Sequence, residues 1–127
     1  MAEPHQHRLG ELMEESDPAF EAVMSCVFGI EDHETRTYLV LCDRPGSTIA
    51  ELATALERDR STVNRSLSTL RDRGLVYRDR RLLDGGGDVY QYTATSLPEA
   101  KAMLHEALDA WTATVHDVID EFDDGAD

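Results

Sequence analysis

Between Thr48 and Thr95 the spacing of apolar side chains changes from a helical to a strand period, and the residues that punctuate the change fix the order of elements. Thr48-Ile-Ala-Glu51 is a capping-box pattern, in which a threonine hydroxyl and a glutamate carboxylate satisfy reciprocal free amides at a helix start. Ile49, Leu52, Ala53 and Leu56 form the buried face of that helix. Asp59 is expected to cap the next one, whose Val63, Leu67 and Leu70 recur at helical spacing until Gly74 ends it. Two short helices joined by a tight turn make a helix-turn-helix. Leu75–Leu83 and Asp88–Thr95 then read as strands rich in Val, Tyr and Thr, and the intervening Asp84-Gly-Gly-Gly-Asp88 supplies the positive φ angles of a tight hairpin. That hairpin is the expected wing.

The flanks complete the architecture. Residues 1–17 are polar and acidic and predict a flexible arm, with at most a helical turn near Leu9–Met13. Pro18 suits a first helical turn, after which Phe20, Val23, Met24, Val27 and Phe28 follow at helical spacing up to Gly29. A second helix is expected from about Asp32 to Cys42, with Tyr38, Leu39, Leu41 and Cys42 on its apolar side and Arg44-Pro45-Gly46 as its stop. Ser96-Leu-Pro-Glu99 is another capping box and opens a helical run of about 27 residues. Its apolar residues Leu104, Leu108, Trp111, Val115, Val118 and Phe122 alternate in steps of four and three, a coiled-coil-like seam on a helix ~40 Å long. A helix longer than its own domain needs a partner, so these six residues are the expected dimer interface. The fold class is therefore mainly α with a small β-hairpin: a winged helix-turn-helix over residues 18–95, followed by a dimerisation helix and acidic tail over 96–127. At 127 residues no separate effector domain is expected.

Charge points to the partner. Arg58, Arg60, Arg65, Arg71, Arg73, Arg78, Arg80 and Arg81 face only Asp59, Asp72 and Asp79 in one short window, so that window is positive in a chain whose formal charge is −14. A basic island on a chain that otherwise repels polyanions is the footprint of a surface that meets phosphate. With Val63, Leu67 and Leu70 turned inward, Ser61, Asn64, Arg65 and Ser68 lie on or near the opposite face, with Thr62 on its flank. Arginine reads guanine bidentately, asparagine reads adenine, and small hydroxyl residues let a helix sit deep in the major groove. These five are the candidate base readers. Thr48, Arg60, Arg71 and Arg73 are candidate phosphate contacts, and Arg78, Arg80 and Arg81 carry the patch into the wing. A charged helix face in isolation is more often simply solvated; its place between a turn and a hairpin, with charge opposite to the rest of the chain, favours DNA.

The order just traced resembles the TrmB family of archaeal winged-helix transcription regulators over about residues 18–95. The likeness is carried by Gly29-Ile30 with Glu34, Tyr38 and Leu41, by Thr48-Ile-Ala-Glu51-Leu-Ala, by Arg60-Ser61-Thr62-Val63 through Leu67 and Leu70, and by Arg73-Gly74-Leu75-Val76 with Tyr90 and Tyr92. Asn64 stands where that family commonly has tyrosine. Larger members add a C-terminal sugar-binding domain where this chain has a single helix, so sugar sensing is not expected. In size and composition the chain is similar to the small stand-alone members of extremely halophilic archaea, which include oxidant-responsive regulators of the OxsR type. Spread carboxylates, with Lys101 as the sole lysine, also suit a protein working in a very salty cytoplasm.

That likeness directs attention to the cysteines. Cys42 shares a face with Tyr38 and Leu41 and reads as a small buried hydrophobe. Cys26 lies off the stripe of its helix and is expected to face solvent or another subunit, which makes it the redox candidate, although no basic residue adjoins it in sequence to favour the thiolate. Among the histidines, His5 and His7 fall in the arm, and His105 and His116 are about three helical turns apart, so no metal site is expected. No nucleophile–base pairing or phosphate-cradling glycine loop is present; Gly85–Gly87 join strands, and neither catalysis nor a cofactor is expected. No stretch reaches the ~20 apolar residues of a membrane span. The sequence leads to a cytoplasmic, homodimeric, sequence-specific regulator on a roughly palindromic double-stranded operator, with no effector identified. An architectural DNA-coating protein and a winged-helix protein-interaction module remain the alternatives.

Overall fold

The computed structural model describes residues 19–123, so the expected acidic arm and the last residues of the tail lie outside it. Seven elements follow in order: α1 (Phe20–Phe28), α2 (Asp32–Asp43), α3 (Ile49–Leu56), α4 (Arg60–Asp72), β1 (Val76–Leu82), β2 (Asp88–Ala94) and α5 (Leu97–Glu121). α1 ends at Gly29, whose φ of 70° is open to a residue without a Cβ, and its N–H closes the last turn onto the Ser25 carbonyl. α2 starts in a reciprocal box of Glu31 and Glu34, a carboxylate pair that the serine- and threonine-based signature does not pick out. The Thr48 box forms as expected: Glu51 N–H donates to Thr48 Oγ1 at 3.2 Å, and Thr48 N–H donates to Glu51 Oε1 at 2.8 Å. At α5 the Ser96 hydroxyl accepts from Glu99 N–H at 3.3 Å.

The core is shared by every element. Met24, Val27 and Phe28 of α1 meet Tyr38 and Leu41 of α2, Leu52 and Leu56 of α3, Val63, Leu67 and Leu70 of α4, Leu75, Val76 and Tyr92 of the hairpin, and Ala100 and Leu104 of α5. β1 and β2 are antiparallel, with Val76 opposite Ala94 and Leu82 opposite Asp88. A bridge between Ser47 and Tyr92 adds a short third rung: Tyr92 N–H donates to Ser47 O at 2.7 Å and Gly46 N–H to Tyr92 O at 2.8 Å. One buried knot joins three parts of the molecule. Tyr38 O–H donates to the Thr95 carbonyl at 2.6 Å, while Thr95 Oγ1 donates to the Gly74 carbonyl at 2.8 Å. The knot fixes α2, the exit of the wing and the end of α4 relative to one another.

Two expectations about faces are corrected. Cys26 is buried, 1% exposed, and Cys42 is the half-buried thiol of the two. The helix α1 packs against both α2 and α5, so more of it is covered than the single stripe of Phe20, Val23, Met24, Val27 and Phe28. Leu104, expected on the intersubunit seam, is buried against its own subunit. Beyond it α5 leaves its domain: Leu108 is 37% exposed, Val118 64% and Phe122 77%, and Trp111 and Val115 are half-buried. No helix among the described residues is long and apolar enough to cross a membrane.

Candidate nucleic-acid interface

α4 presents the stripe that its period predicts. Val63, Ser66, Leu67 and Leu70 are buried, while Ser61, Asn64, Arg65 and Ser68 are exposed and Thr62 is half-buried at the edge. Asn64 and Arg65 lie three and four residues after Ser61, and Ser68 lies four and three residues after them, a spacing that puts all four on one face of an α-helix. The preceding turn is tight because Glu57 adopts a left-handed φ of 55°, its N–H closing α3 onto Ala53 and Thr54. Arg60 is exposed beside the start of α4 and Arg71 near its end.

Asp59 sits in the capping position, yet its side chain does not make the close amide hydrogen bond that Thr48 and Ser96 make. Its carboxylate instead accepts the Thr62 hydroxyl, and Thr62 Oγ1 in turn accepts from Arg65 Nη2 at 3.4 Å. The Thr62 hydrogen bond holds the Asp59 carboxyl below the ordinary carboxylate range, with the Arg65 charge adding to the effect. Asp59 is therefore ionised at neutral pH.

The other expected phosphate contacts are placed unequally. Arg73 is half-buried and its Nε donates to the Phe28 carbonyl at 2.8 Å, so it ties the end of α1 to the end of α4. Thr48 spends its backbone N–H and accepts with its hydroxyl in the capping box, which leaves that hydroxyl proton for another acceptor. On the wing, the Arg78 guanidinium lies 3.9 Å from the centroid of the Tyr90 ring, and Arg80 Nε pairs with Asp88 Oδ2 at 3.1 Å. Arg80 is thus partly neutralised, whereas Arg81 is exposed on the opposite face of the hairpin. Sequence reasoning missed Arg36, which with His33, Arg58 and Thr62 lines a shallow cleft beside the start of α4. Only the packing of α2 on α4 brings Arg36 there, since the two are far apart along the chain. Among the described residues no group of three or more His, Cys, Asp or Glu is placed to hold a metal ion.

A helical core with a capped helix-turn-helix, a short bridging rung and a hairpin defines a winged helix-turn-helix protein. Residues 24–97 match the family described as "Sugar-specific transcriptional regulator TrmB", and the chain belongs to that family. Two relatives from Methanocaldococcus jannaschii are the uncharacterized proteins MJ1503, 31% identical over 82% of this chain and 79% of its own length, and MJ1082, 34% identical over 75% and 78%. Among solved structures, a chain described as a possible transcriptional regulator from Methanosarcina mazei Go1 superposes with a TM-score of 0.73 at 24% identity, covering 82% of this chain and 88% of that one. A mutant of S. aureus MepR bound to an oligodeoxyribonucleotide shares the fold more distantly, with a TM-score of 0.53 at 15% identity over 94% of this chain and 82% of that one.

Proposed function

We propose that this member of the TrmB family is a homodimeric, sequence-specific regulator that sets α4 of each subunit into a major groove of double-stranded DNA. The observation that carries the reading is the exposed ridge of Ser61, Asn64, Arg65 and Ser68 on a helix whose other face is locked into the core. Thr62 reads from the flank, Arg60 and Arg71 meet phosphate at the two ends, and Arg78, Arg80 and Arg81 do so from the wing. The MepR neighbour bound to an oligodeoxyribonucleotide supports the same use of the fold. Leu108, Trp111, Val115, Val118 and Phe122 form the intersubunit seam, because Leu108, Val118 and Phe122 are exposed and Trp111 and Val115 only half-buried, and apolar side chains left open on a helix find burial only against another surface. Twofold symmetry then requires a roughly palindromic site with half-sites ~10 base pairs or a multiple apart. Control by oxidant through Cys26 is not part of the proposal, since the thiol is 1% exposed and reagents reach it only when α1 opens.

Selection of genomic fragments by the purified protein tests the reading. An enriched twofold-symmetric site is the expected result. Retention of DNA without any enriched site would instead favour an architectural coating role, and no retention at all would favour a protein partner for the α4 ridge.

A further inference from the structure

We propose that Asp59 is a specificity-determining residue: its carboxylate accepts a base amino group, that of cytosine N4, and through Thr62 it sets the direction in which Arg65 presents its guanidinium. The proposal rests on the DNA-reading function above and names how one edge of the ridge would discriminate.

The geometry of Asp59 departs from the other helix starts of this chain. Thr48 and Ser96 spend their side-chain oxygens on the amides of Glu51 and Glu99, and Glu31 takes part in a reciprocal box, whereas the hydroxyl of Thr62 is the principal partner of the Asp59 carboxylate. Its carboxylate is engaged by the Thr62 hydroxyl, one turn into the ridge, and remains exposed at the leading edge of the helix. The same hydroxyl accepts from Arg65 Nη2, so acid, alcohol and guanidinium form one chain along the exposed side of α4. A carboxylate has acceptor sites to spare after one such bond.

Electrostatics decides what this arrangement is for. A fixed negative charge at the edge of a DNA-facing helix repels phosphate on every sequence and so weakens general binding. It becomes favourable only where the groove presents a donor, and the exocyclic amino group of cytosine is the donor that carboxylates accept there, while arginine takes the O6 and N7 acceptors of guanine. A linked Asp59 and Arg65 therefore read a donor and an acceptor pair whose relative placement Thr62 fixes. Arg58 and Arg60, on either side of Asp59 and both exposed, supply phosphate attraction that offsets the repulsion.

The test compares wild type, Asp59→Ala, Asp59→Asn and Thr62→Val, first by selection from random duplexes and then by affinity for the selected and an unrelated duplex. Asp59→Ala should bind the unrelated duplex several-fold more tightly and lose about tenfold of its discrimination at one base pair per half-site, the size of a modest mismatch cost. Asp59→Asn should show the same gain on unrelated DNA. Thr62→Val keeps the carboxylate and should blur the guanine position while the cytosine position persists. An unchanged selected motif in Asp59→Ala, or equal weakening on both duplexes together with a lower melting temperature, would overturn the proposal and leave Asp59 as part of the helix start only. A wild-type protein that enriches no site would overturn the DNA-reading function itself, and this proposal with it.

Discussion

Tyr38 ties α2 to the exit of the wing through one hydroxyl. Burial, with Cys42 beside it, pushes that hydroxyl well above its usual range, so it stays a donor to the Thr95 carbonyl. Tyr38→Phe should cost about 1–2 kcal/mol, because the carbonyl is left in the core without its donor; a lower urea midpoint at an unchanged m-value would report it. Gly74 is the second position where one atom matters. Its φ is 76° and an added Cβ would meet Met103 Cε at 3.4 Å, so Gly74→Ala should cost about 1–2 kcal/mol of unfolding free energy, chiefly through the left-handed backbone. At the interface the expectations divide by partner. Arg65→Ala should relax base preference by about 1–3 kcal/mol, whereas Arg80→Ala should weaken all duplexes alike. The Arg80 effect should also be the smaller of the wing arginines', because Asp88 already draws on its charge. Comparison of selected and unrelated duplexes in a filter-binding assay separates these outcomes. The Ser61, Asn64, Arg65 and Ser68 ridge was legible because a helical period alone sorts inside from outside. Arg73 and Arg36 were not, since the Phe28 carbonyl and the α2–α4 cleft are brought to them by distant parts of the chain, and Cys26 was not, since a helical period does not count how many elements pack against a helix.

Elements announce themselves in sequence where their ends have chemistry of their own. The Thr48 box, Gly29 and Gly74 as terminators, and the glycine turn whose Gly86 and Gly87 have φ of 96° and 80° all stand where local rules put them. The rung at Ser47 gives no such signal: it is a single bridge onto Tyr92, created by the hairpin folding back, and no alternation precedes it. α5 was legible as a helix and only half legible as a surface, because a heptad-like pattern cannot tell which apolar residues its own domain covers. The chain uses Leu104 itself, leaves Trp111 and Val115 half-buried and leaves Leu108, Val118 and Phe122 exposed. That division sharpens the dimer prediction. Val118, 64% exposed, contributes little to its own core, so Val118→Glu should convert a dimer into a folded monomer by light scattering with its helical signal retained. Trp111→Glu should do the same, and persistence of the dimer in both variants would remove this face of α5 from the seam.

At the scale of the whole molecule, the acid that surrounds the basic ridge changes what salt does. Counterions released from DNA normally make binding fall steeply with salt, in proportion to the phosphates a protein neutralises. Here a formal charge of −14 resides on the same chain, with Glu106, Asp109, Asp117, Asp120 and Glu121 along α5 and Glu21, Glu31 and Asp32 on the α1–α2 side. In dilute salt these carboxylates repel the duplex as a body, over distances of tens of ångströms that shrink to about 3 Å at molar ionic strength. Added KCl should therefore remove a long-range repulsion before it erodes the short contacts proposed for Arg60, Arg65 and Arg71. Two carboxyl-lined α5 helices paired as proposed would meet the same repulsion, so the dimer should tighten over the same range. The expected result is affinity for a selected duplex that holds, or passes through an optimum, up to molar KCl, with the monomer–dimer equilibrium moving toward dimer in parallel. A steep monotonic loss of binding from the lowest salt upward would show instead that the ridge acts without regard to the charge around it.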